Sequence, residues 1–230
     1  MKHIKNLKVW IKVQLRLLKD VYTGHLFRFA GVSNKFTFNH NIELVQEIKQ
    51  TETAAAKLFN IQTVSQKINP YILLPNEIFS FWYIAGNPNI GLKKSRSIIN
   101  GEIVNEFGGG VCQVASIVYH VSILAGLEIL ERHNHSVDIY TEDTRFTPIG
   151  TDATVVYGYK DLRIRNSLPF PIQFFIETTP NRISIKILST QIIIEKKLNT
   201  DIQDNGGKTI VEITDSNGKN INTSVYKKLI

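Results

Sequence analysis

Apolar and basic positions recur at helical spacing through residues 1–22. Lys5, Lys8, Lys12, Arg16 and Lys19 follow one another at steps of three or four, and Ile4, Leu7, Ile11, Leu18, Val21 and Tyr22 form a second stripe with Trp10 and Leu17 beside it. This period predicts an amphipathic helix. Two placements are open to it: docked on the body with its basic face in water, or lying on an anionic membrane surface. Residues 31–40 are polar and aromatic and read as a loop. A long helix is expected over 42–68, where Thr53-Ala54-Ala55-Ala56-Lys57-Leu58-Phe59 has high helix propensity and Asn69-Pro70 supplies a stop. A short strand follows at 71–74, with a turn at Pro75-Asn76. Phe79-Ser80-Phe81-Trp82 has no clear period, 84–91 reads as a loop, and Asn100-Gly101 is a strong hairpin-turn signal.

The pattern changes after Gly108-Gly109-Gly110. Residues 111–125 are almost entirely apolar and end at Gly126. Fifteen residues is too long for a typical buried strand, so a buried helix is expected. Strands are expected over 129–140, 153–159, 161–166, 172–177 and 183–188, separated by Pro and Gly turns. Near the C-terminus, Asp204-Asn205-Gly206-Gly207 and Asp215-Ser216-Asn217-Gly218 bracket the alternating Thr209-Ile210-Val211-Glu212-Ile213, the signature of a β-hairpin extension. The fold class is therefore α+β: N-terminal helices, then a buried central helix on a mainly antiparallel sheet. The divisions expected along the chain are 1–39 (basic helix and loop), 40–190 (core domain) and 191–230 (β-rich extension).

Charge narrows the possible partners. The chain has 27 Lys and Arg against 20 Asp and Glu, a net +7. Residues 1–30 hold seven of the basic residues and Asp20 alone, so nearly all the excess sits in this first segment and the body is close to neutral. A nucleic-acid binder needs a dense basic surface, and none is expected here. Lysines interrupt each apolar run near the N-terminus, unlike a secretory signal, and no stretch reaches the roughly 18–20 apolar residues of a membrane span. A cytoplasmic protein is expected, peripheral at the inner membrane face if residues 1–22 touch lipid. With 1 Cys, neither an intrachain disulfide nor a four-cysteine zinc site is possible.

That cysteine, Cys112, follows the glycine run and falls in the first turn of the expected buried helix. Unpaired N–H groups and the helix dipole stabilise a thiolate there, and the same amides suit an oxyanion. A nucleophilic cysteine needs a base. His120 is two helical turns further on, about 12 Å along the axis, too far for direct proton transfer. His133 and His135, in Glu131-Arg132-His133-Asn134-His135-Ser136, share one face if that segment is a strand; His135 is the preferred base. Asp138, Asp152 and Asp161 are candidates to orient the imidazole, Asp152 being preferred for its place in Gly150-Thr151-Asp152-Ala153-Thr154. A pocket is expected between the 108–112 turn, 133–135 and 150–152, with Trp82 as a wall. A cysteine on a helix N-terminus facing a strand histidine is the layout of papain-like hydrolases and transglutaminases. The rival chemistry is a metal site on His133 and His135 completed by Cys112, Glu131 or Asp152. No phosphate loop, dinucleotide fingerprint or serine elbow occurs, and no cofactor is expected.

Phe79-Ser80-Phe81-Trp82, Gly108-Gly109-Gly110-Val111-Cys112-Gln113, Glu131-Arg132-His133-Asn134-His135-Ser136, Gly150-Thr151-Asp152-Ala153-Thr154 and Tyr157-Gly158-Tyr159-Lys160-Asp161-Leu162 resemble, in that order, the motifs of the VanW family. The resemblance covers roughly 40–178. Asn76 stands where the family has a turn glycine, and Ile149 where it has a phenylalanine. The resemblance implies a link to glycopeptide resistance or cell-envelope metabolism, in Gram-positive bacteria above all. Joined to the residue chemistry, it leads to the expectation of a cysteine-dependent amidase or acyl transferase acting on peptidoglycan-related amides, with a peptidoglycan precursor or peptide as substrate. A non-catalytic accessory protein of the same system and a His/Cys metal-binding protein are the alternatives.

Overall fold

The structure is a computed structural model describing residues 2–48, 54–99, 102–138 and 145–228. In chain order the elements are α1 (Lys2–Tyr22), a 3-10 turn (Leu26–Arg28), β1 (Gly31–Val32), β2 (His40–Glu47), α2 (Ala54–Ile68), β3 (Tyr71–Leu73), β4 (Ile78–Ser80), α3 (Phe81–Ala85), β5 (Lys94–Ile99), β6 (Glu102–Phe107), α4 (Val111–Leu124), β7 (Glu128–Glu131), β8 (Val137–Asp138), β9 (Arg163–Arg165), β10 (Ile172–Thr178), β11 (Arg182–Ser189), β12 (Leu198–Asp204), β13 (Lys208–Asp215) and β14 (Asn220–Lys228). The class is α+β.

The central sheet runs β1-β3-β10-β11-β2, antiparallel throughout. Its strands alternate. Ile172, Phe174 and Ile176 of β10 and Ile183, Ile185 and Ile187 of β11 turn one way and are buried. Against them pack Ile61, Val64 and Ile68 of α2 and Val114, Ile117, Val118 and Val121 of α4. Because α4 is buried on nearly every side, its fifteen-residue apolar run is a core helix rather than an amphipathic one. Smaller sheets complete the fold: β4-β9-β7, the β5-β6 hairpin, and β12-β13-β14-β8, in which β14 runs parallel to β8. The C-terminal extension is thus a three-stranded meander. The expected turn at Asn100-Gly101 lies outside the described residues.

Three sequence expectations are corrected. The helix expected over 42–68 is two elements, because 40–47 is strand β2 and α2 begins only at Ala54. Residues 40–47 alternate with burial at Ile42 and Gln46, and all eight pair with β11. Ladder pairing overrides the helix propensity of Glu43, Leu44, Gln46 and Glu47. The strand expected over 129–140 breaks between Glu131 and Val137, and 139–140 lie outside the described residues. Residues 153–159 form no strand. Their polar groups are engaged sideways instead: the Ala153 N–H donates to Ser116 Oγ (2.9 Å) and the Thr154 N–H to the His133 carbonyl (2.7 Å). This clamps the segment between α4 and residues 132–136.

α1 docks with an unexpected side inward. Val9, Val13 and Arg16 are half-buried and Asp20 is buried, whereas Leu7, Ile11, Leu18 and Tyr22 are exposed. Arg16 forks onto Glu131, with Nη1 3.0 Å from Oε2, and Arg163 Nη2 donates to Asp20 Oδ2 at 2.8 Å. Ion pairs on the docking side, rather than the apolar stripe, set the rotation of the helix.

Candidate active site

The turn before α4 depends on backbone that only glycine adopts easily. Gly110 has φ +98°, and a Cβ there would lie 2.7 Å from Lys57 Cγ. Asn60, wholly buried on α2, holds the turn from beneath. Its Nδ2 donates to the carbonyls of Gly109 (3.0 Å) and Lys93 (2.9 Å), and its Oδ1 accepts from the Lys93 N–H (2.7 Å). Ser95 Oγ adds a second bond to the Gly109 carbonyl. Asn60→Leu keeps the volume but strands these groups without water. We expect it to cost about 3 kcal/mol, read as a lower urea midpoint at unchanged slope.

Cys112 is the second residue of α4 and is half-buried. Its Sγ lies 3.7 Å from Thr154 Oγ1 and 3.8 Å from the Val155 carbonyl oxygen. Within the first turn, the Val111 and Gln113 N–H groups bond the carbonyls of Gly108 and Gly110. The Cys112 amide carries no such bond among the described residues. Ser116 ties the turn to the facing segment, donating to the Cys112 carbonyl at 2.7 Å and accepting from Ala153 N–H.

His135 is the imidazole that reaches Cys112. Its Nδ1 is 2.6 Å from Asp152 Oδ2, and its backbone N–H donates to the same oxygen at 2.8 Å. The ring also acts on Cys112, and the two side chains shift each other's titration. Burial pushes the Cys112 thiol up, but the His135 hydrogen bond and charge outweigh it, with help from Val155 and Thr154, so the thiol titrates below its ordinary value. Burial alone would lower the His135 imidazole; Asp152 and the cysteine instead push it up to about 10. Burial would raise the Asp152 carboxyl, yet His135, Arg132 and Tyr226 hold it down at about 2. The arrangement favours a thiolate–imidazolium pair oriented by an ionised carboxylate.

Asp152 is held by parts of the chain far apart in sequence. Arg132 Nε donates to the Asp152 carbonyl (2.8 Å), and Arg132 Nη2 to Asp152 Oδ1 (3.1 Å) and the Gly150 carbonyl (3.0 Å). The guanidinium stacks on the Tyr119 ring and donates to Ser224 Oγ at 2.6 Å. Tyr226 donates its hydroxyl to Asp152 Oδ1 and accepts from the Gly150 N–H at 3.1 Å. Gly150 packs under the extension: at φ +86°, a Cβ would sit 2.8 Å from Val211 Cγ1. Sequence reasoning missed Arg132, Tyr226, Ser224 and Asn60. Arg132, beside the histidines, had a local signal; the others had none.

The remaining candidates lie elsewhere. His133 turns from Cys112 to Glu131, Nε2 to Oε1 at 3.0 Å. Asp138 pairs with Arg145. Asp161 accepts from Ser80 Oγ (2.6 Å) and the Trp82 N–H (3.0 Å), holding the start of α3, and pairs with Arg163. Trp82 lines a cleft of about 290 Å3 with Arg16, Asp20 and Tyr157. A larger cleft, about 550 Å3, runs between α1, Phe107 and Tyr157. The cavity bordered by His135 and Asp152 holds only about 20 Å3. Among the described residues, no three His, Cys, Asp or Glu side chains are grouped to hold a metal ion.

A family model described as VanW like protein matches residues 56–188. The uncharacterised protein YoaR of Bacillus subtilis (strain 168) is 33% identical over 192 residues, covering 83% of this chain and 56% of the relative. The vancomycin B-type resistance protein VanW of Enterococcus faecalis (strain ATCC 700802 / V583) is 28% identical over 129 residues, covering 55% of this chain and 47% of the relative. The chain spans about half the length of these curated relatives. No solved structure matches it.

Proposed function

This chain belongs to the VanW family, and from that premise we propose that it is a cysteine-dependent amidase or acyl transferase acting on peptidoglycan-related amides in a system linked to vancomycin resistance. The observation that carries the chemistry is the Cys112–His135–Asp152 constellation, with the imidazole Nδ1 2.6 Å from the Asp152 carboxylate. The link to glycopeptide resistance rests on the likeness to the enterococcal protein.

In this reading the Cys112 thiolate attacks an amide carbonyl carbon, and the resulting oxyanion meets the Cys112 amide and the positive end of α4. The His135 imidazolium gives its proton to the leaving nitrogen as the C–N bond breaks, leaving a thioester on Cys112. Neutral His135 then takes a proton from the incoming nucleophile as it attacks the thioester carbon, and the C–S bond breaks to return the Cys112 thiolate. Water yields hydrolysis, and an amine yields transfer. Asp152 keeps the ring in one tautomer and one orientation throughout.

The test is mass analysis of stem peptides and cell-wall precursor fragments incubated with wild type and with Cys112→Ala. Expected is a mass change that the variant abolishes while its thermal melt is unchanged. Turnover surviving in Cys112→Ala refutes the nucleophile. One observation favours a second reading, a non-catalytic accessory module: the larger clefts run along α1, and only a small cavity borders His135. Fragments that bind without any mass change, at affinities that Cys112→Ala leaves intact, would support that reading.

A further inference from the structure

α1 touches the body along a narrow strip. At 100° per residue, Val9, Val13, Arg16 and Asp20 fall within a sector about 60° wide. Roughly opposite, Leu7, Trp10, Ile11, Leu15, Leu17, Leu18, Val21 and Tyr22 share a sector of about 160°. All eight are exposed: Tyr22 is 92% exposed, Leu18 65%, Trp10 60% and Leu7 57%. Just past the helix end, Phe27 is 80% exposed. Apart from Gln14, which falls in the same sector and is half-buried, this is an apolar face of a kind that soluble monomers rarely leave bare.

Charge selects the occupant. Lys8, Lys12 and Lys19 are exposed and line one flank of the apolar sector. Asp20, the one acidic residue of 1–30, is buried against Arg163, so the outward side of residues 6–22 shows no negative side chain. A second copy packed antiparallel on this face would bring like-charged lysine rows together. An anionic bilayer supplies both complements, acyl chains for the apolar sector and phosphates for the lysines. Among the described residues no helix is long and apolar enough to cross a membrane. We propose that α1 is an interfacial helix that seats the protein on an anionic membrane, lying in the plane of the surface. The proposal is independent of the chemistry at Cys112.

Sedimentation of the full chain with phosphatidylcholine vesicles, alone or containing about one-third phosphatidylglycerol, tests it. Three lysines near the surface should make binding to the anionic vesicles about 100-fold tighter at low salt. Leu7→Glu/Leu18→Glu removes two apolar contacts without touching the docking strip, so its melt should match wild type while binding falls about tenfold or more. Lys8→Gln/Lys12→Gln/Lys19→Gln should erase the preference for anionic vesicles. Trp10 fluorescence should shift to shorter wavelength on binding. Equal pelleting with both vesicles, or none with either, overturns the proposal. So does a wild-type dimer in light scattering that Leu7→Glu/Leu18→Glu turns into monomer, which would make this face a contact between copies.

Discussion

Alkylation of Cys112 by iodoacetamide at pH 6 is expected to slow about 30-fold when His135 is replaced by glutamine. An unassisted thiol near 8.5 is only about 0.3% thiolate at that pH. In the variant, burial pushes Cys112 up, opposed only by Val155 and Thr154. In wild type the imidazolium opposes that burial and holds the thiol below its ordinary value, so more of it is thiolate at pH 6 than in the variant. Lower basicity returns part of that gain, because a thiolate loses nucleophilicity as its pKa falls. The shape of the profile discriminates better than the magnitude. The variant's rate should climb tenfold per pH unit from 6 to 8, and the wild-type rate should level off at lower pH. Superimposable profiles would remove His135 from the site. Stability gives a second readout. The imidazole is raised from 6.5 to about 10 in the folded protein, so its contribution is full below pH 6.5 and is lost as pH rises through about 10. The stability deficit of His135→Gln should therefore be largest in the acid range and shrink toward pH 10.

The elements legible from sequence are those whose pattern is local. α4 announces itself as an apolar run between Gly110 and Gly126, and β10 and β11 as alternating apolar residues set off by prolines. β2 is hidden because Glu43, Leu44, Gln46 and Glu47 are good helix formers, and their strand state follows from pairing with β11 about 140 residues later. The rotation of α1 is hidden for a related reason. Its most apolar stripe looks like a docking face, but the partners that fix the helix are Glu131 and Arg163, and both select charged residues on it.

The candidate site divides along the same line. Cys112 stands out because three glycines precede an apolar run, and Asp152 because it follows Gly150 at the edge of a loop. Nothing in the spacing separates His133 from His135. The distinction comes from an irregular segment in which Asp152 accepts both the backbone N–H and the ring nitrogen of His135, while Glu131 takes His133. Asn60 sits in a run of strong helix formers, where its role beneath Gly109 leaves no signature. Tyr226 reaches Asp152 across 74 residues from a strand with no clear match to the family pattern.

Asp152→Asn is expected to lower the melting temperature by about 10 °C at pH 7, a loss of about 3–5 kcal/mol. The carboxylate is the anion facing Arg132, whose side chain is 7% exposed. An amide leaves that guanidinium without a counter-charge, and it turns an N–H2 toward groups that are themselves donors: the Tyr226 hydroxyl, the His135 N–H or the guanidinium. Removing one partner of a buried pair costs more than the pair is worth, since the survivor stays desolvated. Arg132→Met/Asp152→Asn should therefore be more stable than Asp152→Asn alone, and the double-mutant cycle measures the coupling. The pH dependence has a definite sign. The carboxyl is depressed from 3.8 to about 2 in the folded protein, so its stabilisation is present above pH 3.8 and is lost as pH falls through about 2. The gap between wild type and Asp152→Asn should close over that interval and stay constant from pH 5 to 7. A variant melting within about 2 °C of wild type at pH 7 would mean that the Asp152 charge does not hold Arg132, Tyr226 and His135 together. Because Tyr226 and Ser224 come from β14, the same experiment reports whether the C-terminal meander is coupled to the site: Tyr226→Phe should move both the melt and the Cys112 alkylation profile in the direction of Asp152→Asn, by a smaller amount.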